Sequence, residues 1–475
     1  MTGDVESRLA GVGEPPARSR GPFAEFYSSG KNPYESIPAA AYRQPIHRIK
    51  SIFNPLTLVS DPDAVRRVLV ENVANYPKNA FERQFFSAMF GAGLLGLDGP
   101  LWRVHRKVMA PAFDPRSVAA YSQAMADSAA AFAERWASRP DGAALDIAEE
   151  MKRLTLEVIC RTMFSDEADR LIDIAGDAMR ISQSALDFTV LDFLPVIGPR
   201  RMRAKEDGLH AQFAAMDSAI YGMIEARRGN LTAAPRDLLT RLIEAEDPES
   251  GVGLSAEEIR DEVMTIFMAG HETTAVTLTW VWYALSRRPE IATRLVDELE
   301  GVLGGRPPTH ADLAALPYLR AVVEETMRLY PAAPGISVRD CLADDVLAGQ
   351  PIKAGAQILI SPWVLHRHES LWERPLDFDP TRFLPGGAES RPRFAYLPFG
   401  AGPRVCIGGN LAMTEASLIL AVLAPRFRLA LADGARVKLR AVITLYPEDG
   451  LPMILGRRLR SDAGTASGAS LNSAA

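Results

Sequence analysis

Four stretches repeat apolar residues at the three-to-four spacing of a helix that buries one face. They are RSVAAYSQAMADSAAAFAERWAS (116–138), ALDIAEEMKRLTLEVICRTMF (144–164), HAQFAAMDSAIYGMIEARR (210–228) and SAEEIRDEVMTIFMAGHETTAVTLTWVWYALSRR (255–288). Alternating runs are short and scattered: NPLTLVS, AQILISP and FRLALA, enough for small sheets only. No Ser/Gly linker, charge run or repeat divides the pattern, which predicts one mainly helical domain with a minor β region. Residues 1–22 and the Ser-, Ala- and Gly-rich stretch 461–475 are expected to be disordered, leaving 23–460 as the folded unit.

Composition narrows the classes. With 47% apolar and 24% charged residues the chain has enough apolar side chains for a sizeable core. A net charge of −6 argues against nucleic acid as partner. Cys160, Cys341 and Cys406 are odd in number and far apart, which fits a reducing cytoplasm rather than a disulfide framework. The first residues lack an apolar leader, so neither signal peptide nor anchor is expected. The most apolar region is broken by His271 and Glu272, as a buried helix allows and a membrane span does not.

Three patterns mislead. GAGLLG (91–96) has the letters of a dinucleotide fingerprint, but LDGPLW follows where a helix should open, so it reads as a flexible glycine-rich loop. His271-Glu272 resembles half of a zinc-protease motif whose second histidine is replaced by Ala275. His366 and His368 lack a third ligand and read as a surface or core-edge pair.

FGAGPRVCIG (399–408) places one cysteine among three glycines, a proline and an arginine. It admits a bland buried thiol, a nucleophile awaiting a histidine base, or a metal thiolate. A haem thiolate wants backbone N–H groups turned to sulfur, which Gly400, Gly402 and Gly408 permit by tolerating unusual angles. Arg404 offers a cation for the propionates and Phe399 an aromatic wall, and without CxxCH the haem would be held non-covalently.

Phe399, Gly402, Arg404, Cys406 and Gly408 match FxxGxRxCxG, the haem-binding motif of cytochrome P-450, and the chain resembles that family from about residue 35 to 458. AGHETT (269–274) resembles its oxygen-binding motif: Ala269 and Thr273 share a face, and Gly270 lets the backbone spread beside a ligand. Glu272 and Thr273 form an acid–alcohol pair able to relay protons. EETMRLYP and FDPTRF resemble the family's structural Glu–Arg–Arg network, Glu325, Arg328 and Arg382, although Thr381 stands where a glutamate is usual. In WRVHR, Trp102 and Arg106 resemble the family's haem-propionate partners, and Arg339 stands where a further one often lies.

The resemblance implies a triangular helical prism with small β-sheets, holding haem b with Cys406 as axial iron ligand. It implies oxygen insertion into a C–H or C=C bond, with O2 as co-substrate and NAD(P)H electrons arriving through a separate ferredoxin or flavodoxin and its reductase. The thiolate favours O–O cleavage. Candidates for contact with a hydrophobic small-molecule substrate are Phe85, Phe86, Met89, Phe90, Ile266 and Ile336. Alternatives are a haem-thiolate isomerase, dehydratase or peroxygenase, and a haem sensor with an added domain. The stretch before the central motif looks most like soluble bacterial fatty-acid hydroxylases, yet residues 53–61 lack the cation and tyrosine those use for a carboxylate, leaving a terpenoid- or steroid-like substrate as the other expectation. Arg103 and Lys107, on the helix of Trp102 and Arg106, are expected to face solvent and steer an acidic ferredoxin.

Overall fold

The computed structural model describes residues 9–10, 12–17, 32–49, 55–165, 168–169, 171–174, 198–247, 249–387, 391–441 and 443–458. The helices are α1 Pro62–Arg66, α2 Ala80–Phe90, α3 Gly99–Met109, α4 Pro115–Ala137, α5 Ile147–Phe164 and α6 Gly198–Gly229. They continue with α7 Leu238–Glu244, α8 Ala256–Arg287, α9 Pro289–Leu303, α10 Pro317–Leu329, α11 Pro362–Leu365 and α12 Gly409–Leu423. Among the described residues no helix is long and apolar enough to cross a membrane.

Capping sets where the long helices begin. The Asp114 side chain accepts from Ser117 N–H, and Pro115 supplies a preset first turn to α4. Ser255 and Glu258 satisfy each other's backbone N–H in a capping box that opens α8. The run at 144–164, expected as one helix, divides. Ala144–Asp146 is strand β3, because Asp146 caps the Ala148 N–H and so starts α5 at Ile147. α8 lies against α5, α10 and α12, while α4 packs on α5 and α12. Trp136 sits in that core between the rings of Phe132, Trp282 and Phe427, its indole donating to Glu150 at 2.7 Å.

The strands are β1 Ile46–Ile49, β2 Leu56–Val59, β4 Ile336–Asp340, β5 Asp345–Leu347, β6 Gln350–Ile352, β7 Gln357–Ile360, β8 Phe427–Leu431, β9 Leu439–Ala441, β10 Leu445–Pro447 and β11 Pro452–Arg457. One sheet runs β1-β2-β7-β4, another β3-β11-β8, and β5-β6 and β9-β10 are hairpins. β2 and β7 pair in parallel; the other ladders are antiparallel.

Part of the stretch expected to be disordered is packed. Leu9 and Val12 join the main core. Between them the Ala10 N–H donates to Tyr283 Oη at 2.9 Å, and Tyr330 Oη donates to the Ala10 carbonyl at 2.6 Å. Two apolar side chains and two tyrosines are signals that polar composition elsewhere in the segment hides. Residues 1–8 and 459–475 lie outside the described residues.

The GAGLLG loop is pinned rather than free. Ala92 N–H donates to Asp261 at 2.6 Å and Leu94 N–H to Glu262 at 3.1 Å, both carboxylates belonging to α8. A side chain at Gly91 or Gly93 would run into Asp261 or Thr265, so these glycines serve close approach to the helix.

Candidate active site

From Ile259 to Leu285 every residue of α8 is buried except Ala269, Gly270, Glu272 and Thr273. The central helix is therefore open to its surroundings at one place, the AGHETT stretch. Thr273 Oγ1 donates to the Ala269 carbonyl at 2.7 Å, which puts both residues on one face. Gly270 does not spread the helix: α8 is continuous, and a Cβ there would lie 3.3 Å from Ile159 Cδ1, so the glycine lets α5 approach. Glu272 does not bond Thr273; its Oε1 accepts from Thr444 Oγ1 at 2.8 Å. His271 is buried, with Nδ1 2.8 Å from the Phe267 carbonyl, and burial pushes its pKa down.

The cysteine loop forms a cradle for one sulfur. Cys406 is solvent-accessible, unlike Cys160 and Cys341. It is nevertheless ringed by protein, so that burial raises its thiol pKa, while the Gly408 N–H and the Arg106 guanidinium favour the thiolate. These two descriptions agree if the sulfur faces an enclosed space instead of bulk water. The Cys406 N–H bonds the Phe399 carbonyl at 2.8 Å and folds the loop back on itself. Gly400 and Gly402 take φ of 72° and 71°, and a side chain at Gly402 would meet the Leu69 carbonyl. Gly408 has an ordinary φ of −86°, so its contribution is the N–H and not an unusual backbone angle.

Beside this cradle four cations converge. Arg404 lies 4.1 Å over the Trp102 ring and pairs with Asp98. Arg339 and Lys78 are buried, and the Arg404 charge lowers the proton affinity of both. Burial first, then Arg404, brings Arg339 down to about 10; Lys78 falls to about 8 mainly by burial, against the pull of Glu82. The Arg339 Nε has no hydrogen-bond partner. Arg106 is half-buried and has no carboxylate partner among the described residues. Asp98 and Glu82 are too few to neutralise this cluster. A buried cationic site with an orphaned guanidinium N–H, next to an accessible thiol, is what a dianionic, sulfur-ligated macrocycle requires, so the donor set fits haem.

Lys78 and Asp98 carry no sequence pattern and were not foreseen; a lone lysine in YPKNAF resembles any surface lysine. Lys78 Nζ donates to the Leu95 carbonyl at 2.7 Å, and Asp98 also caps α3 through the Gly99 N–H.

The Glu325–Arg328–Arg382 network is formed. Arg328 Nε and Nη2 reach Glu325 at 2.7 and 2.8 Å, and its other hydrogens go to the carbonyls of His366, Pro375 and Asp377. Arg382 Nε lies 3.6 Å from Glu325. Both His366 and His368 belong to this buried region and are not surface groups: His366 Nε2 accepts from Leu397 N–H, and His368 lies against the Gln44 carbonyl.

Of the substrate candidates, Ile266 is buried on α8, and Phe85 and Phe86 are half-buried on α2 with rings 5.2 Å apart. The side chains of Met89, Phe90 and Ile336 lie outside the described residues. The first hairpin begins at Ile46, ahead of residues 53–61, and β1 carries Arg48 opposite Thr57. Its guanidinium is exposed and reaches the Pro351 carbonyl at 3.4 Å. Lys107 is not a free docking cation: Asp247 and Glu249 hold it at 3.3 and 2.8 Å.

A family model described as Cytochrome P450 matches residues 16–443. Cyclooctatin synthase from Streptomyces melanosporofaciens is 35% identical over 398 residues, covering 82% of this chain and 84% of that protein. Cyclooctat-9-en-7-ol 5-monooxygenase of the same organism is 34% identical over 443 residues, covering 88% and 93%. The crystal structure of the cytochrome P450DA haem domain is 27% identical, with a TM-score of 0.81 over 95% of this chain and 99% of that one. With the cysteine cradle, the opened central helix and the mainly helical fold in agreement, the chain belongs to the cytochrome P450 family of oxygen-incorporating oxidoreductases.

Proposed function

We propose that the protein is a haem-thiolate monooxygenase of a lipophilic, terpenoid-like molecule, reduced by NAD(P)H through a separate ferredoxin or flavodoxin and its reductase. One O2, two electrons and two protons convert a substrate C–H into C–OH and water. The observation that carries this reading is the accessible, protein-ringed Cys406 with Gly408 N–H and Arg106 favouring its thiolate. When bound, haem supplies a thiolate-ligated iron that favours O–O cleavage.

The chain does the positioning. Arg106, Arg339, Arg404 and Lys78 would hold the propionates, and Arg404 packs over the Trp102 indole. Phe399 flanks the cysteine, and Ala269 shares its face of α8 with Thr273. Glu272 and Thr273 pass a proton to the oxygen undergoing reduction, a role that isomerases and dehydratases of this kind do not need. Of the described side chains, Phe85, Phe86 and Ile266 line the substrate.

The relatives named for cyclooctatin and cyclooctat-9-en-7-ol favour a terpenoid-like substrate over a fatty acid. The test is a titration of purified holoprotein with terpenoid alcohols and with fatty acids, read as a shift of the haem Soret band, followed by product analysis. Shifts and hydroxylated product from terpenoids with donor and O2 support the reading. Shifts from fatty acids alone overturn the substrate, and product from peroxide but never from donor and O2 overturns the reaction.

A further inference from the structure

The carboxylate of Glu272 is engaged by a residue from a distant part of the chain. Thr444, in the turn between β9 and β10, donates its hydroxyl to Glu272 Oε1 at 2.8 Å. Thr444 is buried, and among the described residues Glu272 forms no ion pair. The donor is itself fixed. Next to it, the Leu445 N–H bonds the Ala332 carbonyl at 3.1 Å, and the Leu445 carbonyl accepts from Trp280 Nε1 at 2.7 Å. Trp280 lies about two turns beyond Glu272 on the same helix. The hairpin tip is thus clamped along the face of α8 that carries Glu272.

The chemistry of the donor matters as much as its place. A lysine or arginine here would add a charge beside Glu272, whereas a hydroxyl orients the carboxyl group through one directional bond without adding one. With Oε1 taken by Thr444, Oε2 is the oxygen left to carry a proton. Thr273, whose hydroxyl rests on the Ala269 carbonyl, lies beside it in the opened stretch of α8.

We propose that Thr444 is a positioning residue for proton delivery: it fixes the Glu272 carboxyl so that Oε2 passes its proton through the Thr273 hydroxyl. Glu272 regains a proton from solvent, and Thr444 has no net proton change. This rests on the reading of Glu272 and Thr273 as the relay.

The experiment compares holoenzyme carrying Thr444→Val, Thr444→Ser, Glu272→Gln and the Thr444→Val/Glu272→Gln double substitution. Two quantities are read. The first is the thermal unfolding midpoint, needing no turnover, as a double-mutant cycle. The second is the share of NAD(P)H electrons lost as hydrogen peroxide, with a surrogate ferredoxin and reductase and cyclooctat-9-en-7-ol as probe. The valine variant is expected to raise the peroxide share severalfold, and serine to restore it. The double variant should be no worse than Glu272→Gln, and the unfolding midpoints should be non-additive. If Glu272→Gln uncouples while Thr444→Val does not, or if the two losses add, Thr444 has no positioning role although the relay stands. If Glu272→Gln leaves coupling unchanged, the relay reading itself fails and the proposal with it.

Discussion

Lys78 and Arg339 face each other across an isolated bridge between the segment before α2 and strand β4, two cations that burial makes costly. Each resists its own charge, Lys78 down to about 8 and Arg339 to about 10, as groups do when a counter-charge belongs beside them. Replacing either by methionine should weaken haem retention about 10- to 100-fold, the value of one charged hydrogen bond. Haem transfer to apomyoglobin measures it; unchanged transfer in both variants would remove them from the haem site. Arg339 was legible because a motif placed it, whereas Lys78 becomes visible only when the fold buries it. Thr273→Ala tests the other side of the pocket. Substrate-induced Soret shifts should persist, while product formation falls by about 100-fold and peroxide takes its place. Unchanged coupling of NAD(P)H to product would contradict the relay.

At the scale of elements, the strong helical periods were readable and their edges less so. α4 and α8 begin within a residue or so of the apolar pattern, because caps at Asp114 and Ser255 coincide with its start. β3 was hidden inside a helical pattern because three residues are too few to show a period of two. The docking of the GAGLLG loop was also illegible, since Asp261 and Glu262 read as an ordinary charged helix start until the loop is laid on them. Three buried histidines, His271 on α8 and His366 and His368 near Arg328, make the fold sensitive to pH. Burial pushes the pKa of His271, His366 and His368 down, so each stays neutral in the fold while the unfolded chain takes up protons below about 6.5. Their contribution is present above that value and lost as pH falls through it. His105 runs the other way: burial lowers it, but Glu262 and Glu258 raise it on balance, so its contribution is lost as pH rises. Glu262 and Glu415, which burial also raises, oppose the three, so the histidine share is read by difference. Between about pH 7.5 and about 5.5 the thermal midpoint of His368→Gln should fall less than that of the wild type, and equal falls would contradict this.

For the whole molecule, the order of motifs made the family legible, because a cysteine loop, a Glu–Arg pair and AGHETT in register constrain nearly all of the chain. The partner-facing surface was less legible, since sequence does not show that Asp247 and Glu249 hold Lys107. Arg103 is exposed on α3, so steering of an acidic donor should depend on it more than on Lys107. Arg103→Glu should slow reduction by a ferredoxin about 10-fold at low salt and flatten the salt dependence, leaving peroxide-driven turnover intact. Equal loss in both assays would place Arg103 in the haem site instead. All of this depends on one bond, between Cys406 and iron. The direct measurement is the spectrum of the reduced carbon-monoxide complex in the wild-type protein, Cys406→Ala and Cys160→Ala. The account predicts a strongly red-shifted Soret band in the wild type and Cys160→Ala, and its loss in Cys406→Ala. Retention of that band without Cys406 would contradict it.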